Sequence, residues 1–462
     1  MDYKRYINQE MSRDPGICIL TYPYSFAWEK TGEFEVRNAW KKYATDSDVF
    51  AYVHVPFCAQ ECHFCGFHKF IGRPYTVIRE YLGRSYQEME IASSLLQNRR
   101  PLAVTIGGGT PSMLRASDLA RLVRSIRETL NVAETCELTM EVYPDKTASS
   151  ERLAALKDAG CNRISLGFQS LSDQTKRACN RHDTVEQNLA AYQSAREVGF
   201  ADITGDLLCG LPHQTTDMWQ DSVRWLIDLG LDQICIYPLS IRHPGIPFYE
   251  KIREALPGFE TLKKMYFWAR EELISAGYQQ ATRHNFKKEH HKGLYEYHQS
   301  LGTPCLGIGT NSVSYLPGYT YKNVEGLEEY GSAVRKGRLP VDAGYDLMKN
   351  NEDANAFVIK RLTFLSVDKT EFKNRFGRAF DTAYHEQIEA LTHSGLAKNG
   401  STHFTLTVEG TYYTALVKRC FFGEKLHRLQ TERLGRLKPP IRNEKLEPVA
   451  ALRKNWNEGK SV

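Results

Sequence analysis

Three cysteines lie within eight positions of the segment YVHVPFCAQECHFCGFHKF, at Cys58, Cys62 and Cys65. A structural zinc site or a plain ferredoxin cluster takes four protein ligands, and the segment offers no fourth cysteine. Three thiolates on a four-iron cluster leave one iron open to another molecule. The C-x3-C-x2-C spacing, placed directly after a β-rich run, therefore indicates a [4Fe–4S] cluster with one free iron.

The free iron of such a cluster can chelate the amino and carboxylate groups of S-adenosylmethionine (SAM). Electron transfer into the sulfonium then releases a 5′-deoxyadenosyl radical. The alternative reading is a zinc knuckle with a distant fourth ligand, for which His54, His63 and His68 are candidates. A disulfide is not expected, because the chain has the features of a cytosolic protein.

A regular alternation of β-rich and helical stretches predicts the strands and helices that must position these thiols. Stretches with helical periodicity, such as 117–130, 184–199, 216–230 and 260–276, separate or follow six short β-rich runs. Six βα units in a row predict an α/β fold with a parallel sheet covered by helices, and a partial (β/α)6 TIM-like barrel fits best. The six runs are 51–55, 102–106, 137–142, 163–167, 202–208 and 232–237.

Polar and glycine-rich residues follow the ends of these predicted strands. In a parallel barrel all strand ends of one kind share a single face, where catalytic groups collect. Glycines let a ligand approach the backbone, and a carboxylate inside an apolar strand needs a partner such as a cationic or hydroxylated ligand. Arg181 is a candidate for pairing with a carboxylate of that ligand. The other residues are Gly107 to Ser112, Glu141, Gln169, Asp206, Tyr237 and Ser240.

The C-terminal third has a different character. Residues 351–398 read as two or three amphipathic helices, and 396–410 as a small hairpin. Helices followed by a hairpin predict a helical, winged-helix-like module, which can serve as a lid over an active site. The predicted divisions are an N-terminal arm, a barrel, this lid domain and a basic tail, at 1–50, 51–340, 341–423 and 424–462.

Composition narrows the class of protein. The chain has 462 residues, 42% of them hydrophobic and 25% charged, and it has neither a long apolar run nor a signal peptide, so a cytoplasmic location is expected. Residues 424–462 hold ten Lys/Arg and five Asp/Glu, which accounts for the whole net charge of +5. The folded part is thus close to neutral, which argues against a nucleic-acid partner.

Taken together, these motifs resemble the radical SAM enzymes of the oxygen-independent coproporphyrinogen III oxidase type, the HemN-like family. The resemblance covers residues from about 20 to about 420. It implies a partial barrel with a C-terminal helical domain, a [4Fe–4S] cluster and two SAM molecules. The motifs that carry it, in order, are LTYPY, YVHVPFC with CxxxCxxC, GGGTP, MEVYP, RISLGFQS, NR, GDLLCGLP and LGIGTNSVSY.

The resemblance also assigns residues. Cys58, Cys62 and Cys65 would bind the cluster, with Tyr52 and Phe64 packed beside it and the first SAM. The second SAM would lie near three apolar positions, Leu208, Leu239 and Ile308. The first would be bound by Gly108, Gly109, Thr110, Glu141, Gln169, Arg181 and Asp206.

Two departures separate this chain from the oxidases that it resembles. The cysteine motif of those oxidases resembles CxxxCxxCxC, whereas Phe67 stands at the last position in this chain. The Arg-rich N-terminal arm of the oxidases is also not evident here. The sequence therefore favours a divergent branch, similar to class C methyltransferases and cyclopropanases. Such an enzyme transfers a methyl or methylene carbon from a second SAM to an sp2 carbon. The alternatives are oxidative decarboxylation of coproporphyrinogen III, anaerobic opening of the haem ring by methyl transfer, and a non-catalytic haem carrier.

The residue that completes the reaction is not fixed by spacing. Tyr237, His243, His284 and Tyr315 are the candidates near the expected mouth of the barrel. The expected partners are a small-molecule substrate and an electron donor such as flavodoxin or ferredoxin, with no membrane and no second subunit.

Overall fold

Seven parallel strands form the centre of the computed structural model, which describes residues 2–11, 21–44, 48–239 and 252–435. Every strand predicted from the sequence is confirmed, with ends that move by at most two residues. A seventh strand, not predicted, pairs in parallel with the first and places Ile308 opposite Val53. The strands are β1 Val49–Val55, β2 Pro101–Gly108, β3 Glu137–Val142, β4 Arg163–Gln169, β5 Asp202–Cys209, β6 Gln233–Pro238 and β7 Cys305–Ile308.

Antiparallel strands extend both edges, so the sheet is open. Its order runs from Glu29–Lys30 at one edge to Gln279–Gln280 at the other, with β7-β1-β2-β3-β4-β5-β6 in the middle. An open sheet with parallel strands and outer helices is the partial barrel that the sequence predicts. The remaining antiparallel strands are Asn285–Lys287 beside β6, and Val313–Leu316, Tyr319–Asn323 and Val341–Asp346 beyond β7.

The helices pack their apolar stripes on the outer face of the sheet. The predicted stripe of the helix Ala116–Thr129 is buried, as Leu119, Leu122, Val123 and Ile126 show. The helix Val185–Val198 ends at Gly199, whose φ of 92° is the left-handed value that favours glycine. The other helices around the sheet are Glu33–Tyr43, Tyr75–Ser93, Ser150–Asp158, Asp173–Ala178, Thr216–Asp228, Phe259–Ser275 and Leu327–Arg335.

A helix at Leu294–Leu301, here called the plug helix, closes the end of the barrel where the strands begin. The backbone N–H groups of Leu294 and Tyr295 donate to the carboxylate of Glu137, the first residue of β3, at 3.0 and 3.2 Å. A carboxylate at a helix N-terminus satisfies its unpaired donors. The opposite end of the barrel, where the strands finish, is therefore the end left for a ligand.

The C-terminal residues form the predicted winged-helix-like module. Its sheet consists of Ser366–Asp368, Ala397–Asn399 and His403–Leu406, and the last two form the predicted hairpin. The N-terminal helix Tyr3–Met11 packs on this module through an ion pair between Glu10 and Arg419 at 3.1 Å. The helices of the C-terminal module are Asp353–Arg361, Lys369–Phe376, Phe380–Ala383, His385–His393, Val408–Tyr412, Thr414–Cys420 and Glu424–Gly435.

The strand Val341–Asp346 belongs to the large sheet, so we propose a boundary between barrel and lid near residue 347 rather than at residue 341. Residues 436–462, most of the predicted basic tail, lie outside the described residues. In the part of the chain that the structure covers, no helix is long and apolar enough to cross a membrane.

Candidate active site

The cysteine loop follows β1 directly and is held on two sides. The short strand Phe57–Cys58 pairs with Phe70–Ile71, and the Gly72 N–H donates to the Cys58 carbonyl at 3.0 Å. On the other side the His63 N–H donates to the Cys179 carbonyl at 2.8 Å. The loop therefore presents its three thiols at the end of the barrel where the strands finish.

The glycine tip of β2 packs so closely on this loop and on Glu141 that a side chain at Gly107 or Gly109 would not fit. A Cβ on Gly109 would lie 2.5 Å from the Phe57 carbonyl oxygen, and one on Gly107 would lie 2.6 Å from the Glu141 carboxyl carbon. The Thr110 hydroxyl approaches the Cys58 sulfur at 3.4 Å. Bare backbone thus lies beside Cys58, in the loop that also carries Cys62 and Cys65, which fits a cluster with three protein ligands and a small ligand next to it.

Two carboxyl groups lie inside the barrel next to the glycine tip. The Gly108 N–H donates to Glu141 at 3.1 Å, and the Ser165 hydroxyl donates to Asp206 at 2.7 Å. Burial raises the pKa of Glu141 to about 7; the nearby Asp206 adds to this, and the Gly108 hydrogen bond opposes it. Burial also raises the pKa of Asp206. Two neighbouring acids with raised pKa values, next to bare backbone, suit a ligand that brings positive charge.

We expect SAM to bind more weakly as the pH falls through the pKa of Glu141. The ionised carboxylate attracts the cationic ligand, so below about pH 7 binding must release a proton, which costs up to about tenfold in affinity per pH unit. Calorimetric titration of the reconstituted protein between about pH 8 and about pH 6 measures this. Glu141→Gln should bind weakly with a flat profile.

The exposed Glu151 on an outer helix provides the matched control. Glu151→Gln should keep the wild-type dependence on pH. A Glu141→Gln protein whose affinity still falls with pH as in the wild type would contradict the role given to this carboxyl group.

Arg181 is buried beside the cysteine loop and is not a surface residue. Its Nε lies 2.7 Å from the Asp183 carboxylate, and its guanidinium lies 4.2 Å from the centre of the Tyr143 ring. It also donates to the Gly167 carbonyl near the end of β4. Gln169, at the end of that strand, has a φ of 65°, an uncommon value for a residue with a side chain. The end of β4 and Arg181 are thus fixed together next to Cys62.

Aromatic side chains form the wall of the barrel between the plug helix and the strand ends. Tyr52 on β1 lies 6.3 Å from Tyr295 of the plug helix, ring centre to ring centre, and Phe50 lies 5.0 Å from Tyr295. The Tyr52 hydroxyl and the His54 Nδ1 are 3.2 Å apart. The sequence did not point to Tyr295, because a lone tyrosine in a helix carries no signal of its position.

Tyr237 and His284 lie together at the end of β6. Their ring centres are 4.8 Å apart, and the His284 Nδ1 lies 3.2 Å from the Ile236 carbonyl, which makes Nδ1 the protonated nitrogen. Within the described ranges the Nε2 of His284 has no hydrogen-bond partner. Burial and the nearby Arg283 lower the pKa of His284 to about 3, so the ring is neutral and its Nε2 carries a lone pair.

Three of the predicted apolar residues fall in one cluster. Phe64 and Leu208 pack against the buried Leu239, Leu211 and Cys179. The cluster therefore lies beside the cysteine loop, as expected for residues near a second ligand. Their role in binding stays a prediction.

Two predicted positions need correction, and a third lies outside the described residues. Ile308 is fully buried in the main core on the side of Val53, so its side chain faces the helices and only its backbone can reach a ligand in the barrel. Tyr315 pairs with Cys305 at the start of β7, far from the expected mouth. The error arises because the strand Val313–Leu316 runs antiparallel to β7, so Tyr315, although later in the chain, lies beside the first residue of β7. His243 falls within 240–251, which the structure does not describe.

Comparison with known proteins places this arrangement in a class. Residues 52–226 match the model of the radical SAM superfamily. The chain is 28% identical to the heme chaperone HemW of Bacillus subtilis (strain 168) over 380 residues, which are 81% of this chain and 99% of the relative. It is 29% identical to anaerobilin synthase of Escherichia coli O157:H7 over 397 residues, 84% of this chain and 86% of the relative.

A solved structure shares the whole fold. Coproporphyrinogen III oxidase (HemN) from Escherichia coli superimposes with a TM-score of 0.78 at 22% identity, over 90% of this chain and 98% of that chain. At this identity the likeness concerns the fold. The oxygen-independent coproporphyrinogen III oxidase of Synechocystis is 25% identical over 72% of this chain and 75% of its own length.

Fold and site together define a radical SAM enzyme, whose cofactors are a [4Fe–4S] cluster and S-adenosylmethionine. Within that class the chain is similar to proteins of the HemN-like family, among them coproporphyrinogen oxidases and HemW homologues.

Proposed function

We propose that this enzyme transfers a methyl carbon from a second SAM molecule to an sp2 carbon of a tetrapyrrole of the haem type. The observation that carries the proposal is the set of aromatic side chains between the plug helix and the strand ends. Tyr52 and Tyr295 line one side, Tyr237 and His284 lie at the end of β6, and the acids and thiols are at the strand ends. Flat aromatic side chains that face one ligand suit a flat macrocycle.

His284 supports a tetrapyrrole that contains iron. A histidine that binds a metal commonly donates its other ring N–H to a backbone carbonyl, as His284 does to Ile236 at 3.2 Å. Its Nε2 is neutral and accepts no hydrogen bond from the described residues. We therefore assign His284 as a nitrogen donor to the iron of the substrate.

When bound, the cluster and the first SAM supply a 5′-deoxyadenosyl radical. The side chains of the protein bind and orient the reactants. Glu141 and Arg181 hold the charged ends of the first SAM, and Asp206 accepts hydrogen bonds from its ribose. Phe64, Leu208 and Leu239 exclude water on the side of the second SAM. Exclusion of water protects a carbon radical from side reactions.

The relatives support methyl transfer to a tetrapyrrole and also indicate two alternative functions. Anaerobilin synthase matches 84% of this chain and 86% of its own length, so similarity to it extends across barrel and lid. HemW matches over nearly its whole length, which favours a haem carrier as the second candidate. Decarboxylation of coproporphyrinogen III is the third, since oxidases of that substrate are also among the relatives.

Product analysis with SAM that carries a deuterated methyl group separates these functions. The anaerobically reconstituted protein, a reductant and haem should give a tetrapyrrole product whose mass contains deuterium, together with 5′-deoxyadenosine. Haem bound without 5′-deoxyadenosine would support the carrier instead. Carbon dioxide released from coproporphyrinogen III, with no deuterium in the product, would support the oxidase. Either result would overturn the proposal.

A further inference from the structure

The cysteine loop carries two exposed apolar side chains next to cluster ligands. Phe67, two residues after Cys65, is 62% exposed. Ile71, which pairs with Cys58 in the short two-stranded sheet, is 37% exposed. Neither side chain packs in an apolar cluster formed by the described residues. Exposed apolar side chains that lie close together are typical of a surface that binds another molecule.

Lys69 holds the segment that carries Phe67. Its ammonium group donates to the Cys65 carbonyl at 3.0 Å and to the Phe67 carbonyl at 3.3 Å, and it lies 3.5 Å from the Glu61 carboxylate. The Lys69 side chain is 7% exposed, so this cation is used inside the loop and neutralises the acid of the loop. The Phe67 ring is therefore presented to solvent from a fixed backbone next to Cys65.

Two arginines that follow the loop add positive charge beside these apolar side chains. Arg73 comes two residues after Ile71, and its guanidinium lies 5.8 Å from the centre of the Phe70 ring. The Arg115 guanidinium lies 4.4 Å from the centre of the Tyr75 ring, and the Arg115 backbone N–H donates to the Tyr75 hydroxyl at 2.8 Å. Both arginines are exposed, and neither forms an ion pair with a carboxylate of the described residues.

The acids nearby are engaged with other groups. Asp118 accepts from the Tyr75 hydroxyl at 2.7 Å, and Glu80 lies 3.7 Å from the Arg84 guanidinium. Arg79, one helical turn after Tyr75, is also exposed and adds a further cation on the same side of the helix. The surface beside the cysteine loop is therefore positively charged.

The chemistry of a radical SAM enzyme requires an electron at this place. Reductive cleavage of SAM takes one electron from the cluster, which must receive it from a reduced donor. A donor seated on Phe67 and Ile71 would lie next to Cys65 and Cys58, two of the three cluster ligands. Complexes for electron transfer are transient and bury little surface, so a small patch is sufficient.

We propose that Phe67, Ile71, Arg73 and Arg115, here called the docking patch, bind an acidic carrier protein of the flavodoxin type. Carboxylates of the carrier pair with the arginines, and its flat flavin lies against the Phe67 ring. One electron passes from the anionic flavin hydroquinone to the oxidised cluster, so the flavin becomes the neutral semiquinone, the cluster is reduced, and no proton moves. This step precedes any reaction of the tetrapyrrole and does not depend on which one follows.

Reduction of the cluster by flavodoxin hydroquinone and by excess dithionite tests this in the full-length, anaerobically reconstituted protein. Electron paramagnetic resonance of samples frozen at set times after mixing gives the rate at which the reduced cluster forms. At low salt, Arg73→Glu should slow reduction by flavodoxin about tenfold or more, because repulsion replaces attraction in the encounter. Phe67→Ser should slow it about fivefold or more, because an exposed aromatic anchor is lost.

The controls separate docking from damage to the cluster. Dithionite should reduce Arg73→Glu and Phe67→Ser at the wild-type rate, because a small reductant does not need the docking patch. Lys373→Glu, a charge reversal at an exposed position of the lid domain, should behave as the wild type with both reductants.

Three results would overturn the docking patch. The first is a wild-type rate of reduction by flavodoxin in both Arg73→Glu and Phe67→Ser. The second is an equal loss with flavodoxin and dithionite, because it would show that these residues support the cluster itself. The third is a wild type that a ferredoxin reduces and flavodoxin does not. None of these results bears on methyl transfer, which product analysis with a chemical reductant tests separately.

Discussion

Cys62→Ala should lose its cluster and all SAM cleavage. Three thiolates bind three irons, so removal of one leaves two irons without a protein ligand and the cluster open to loss. Cys62 lies in the middle of the loop, where the Cys65 N–H donates to its carbonyl at 3.1 Å. Iron and sulfide analysis after anaerobic reconstitution should show little of either, and 5′-deoxyadenosine should fall below detection.

The control is Cys136→Ala at the other end of the barrel. Cys136 is buried directly before β3, next to Glu137, and its removal leaves the loop untouched. This variant should keep wild-type iron, sulfide and SAM cleavage. A Cys62→Ala protein with full iron and sulfide and normal cleavage would contradict the three-thiolate site.

Arg163→Met should produce the largest loss of stability, of about 3–5 kcal/mol, because it removes a buried cation that three carboxylates share. The Arg163 side chain is 2% exposed and forms ion pairs with Glu137 at 3.3 Å, Asp202 at 3.5 Å and Glu296 at 3.1 Å. Glu296 belongs to the plug helix, so the substitution also detaches the helix that closes the barrel. Chemical denaturation under anaerobic conditions measures the change in unfolding free energy.

An exposed ion pair serves as the control for the contribution of Arg163 burial to stability. Arg224 is 53% exposed and bonds Glu272 at 2.9 Å on the outer helices. Arg224→Met should cost less than about 1 kcal/mol, because solvent screens such a pair. Equal losses for the two variants would show that the network around Arg163 does not hold the plug helix in place.

The sequence predicted those parts of the fold that depend on local pattern. The six strands, the apolar stripe at Leu119 to Ile126 and the hairpin near residue 400 all follow from the periodicity of side chains over a few residues. The thiol loop, the glycine tip and Glu141 share one end of the barrel because parallel strands finish on one face.

The rest depends on contacts between distant residues. β7 has four residues and no helical partner of its own, and only its pairing with β1, over 250 residues earlier, makes it part of the barrel. The plug helix is positioned by Glu137 and Arg163, which no pattern near residue 294 reveals. For the same reason the direction of the Ile308 side chain and the position of Tyr315 at the start of β7 were not predicted.

The central claim is that one iron, left free by Cys58, Cys62 and Cys65, binds SAM at the end of the barrel. Electron paramagnetic resonance of the reduced, reconstituted protein with and without SAM tests it most directly. We expect a signal of a reduced [4Fe–4S] cluster whose shape changes when SAM is added, and no such change in Cys62→Ala. Zinc in the anaerobically purified protein, or a spectrum that SAM leaves unaltered, would contradict the claim.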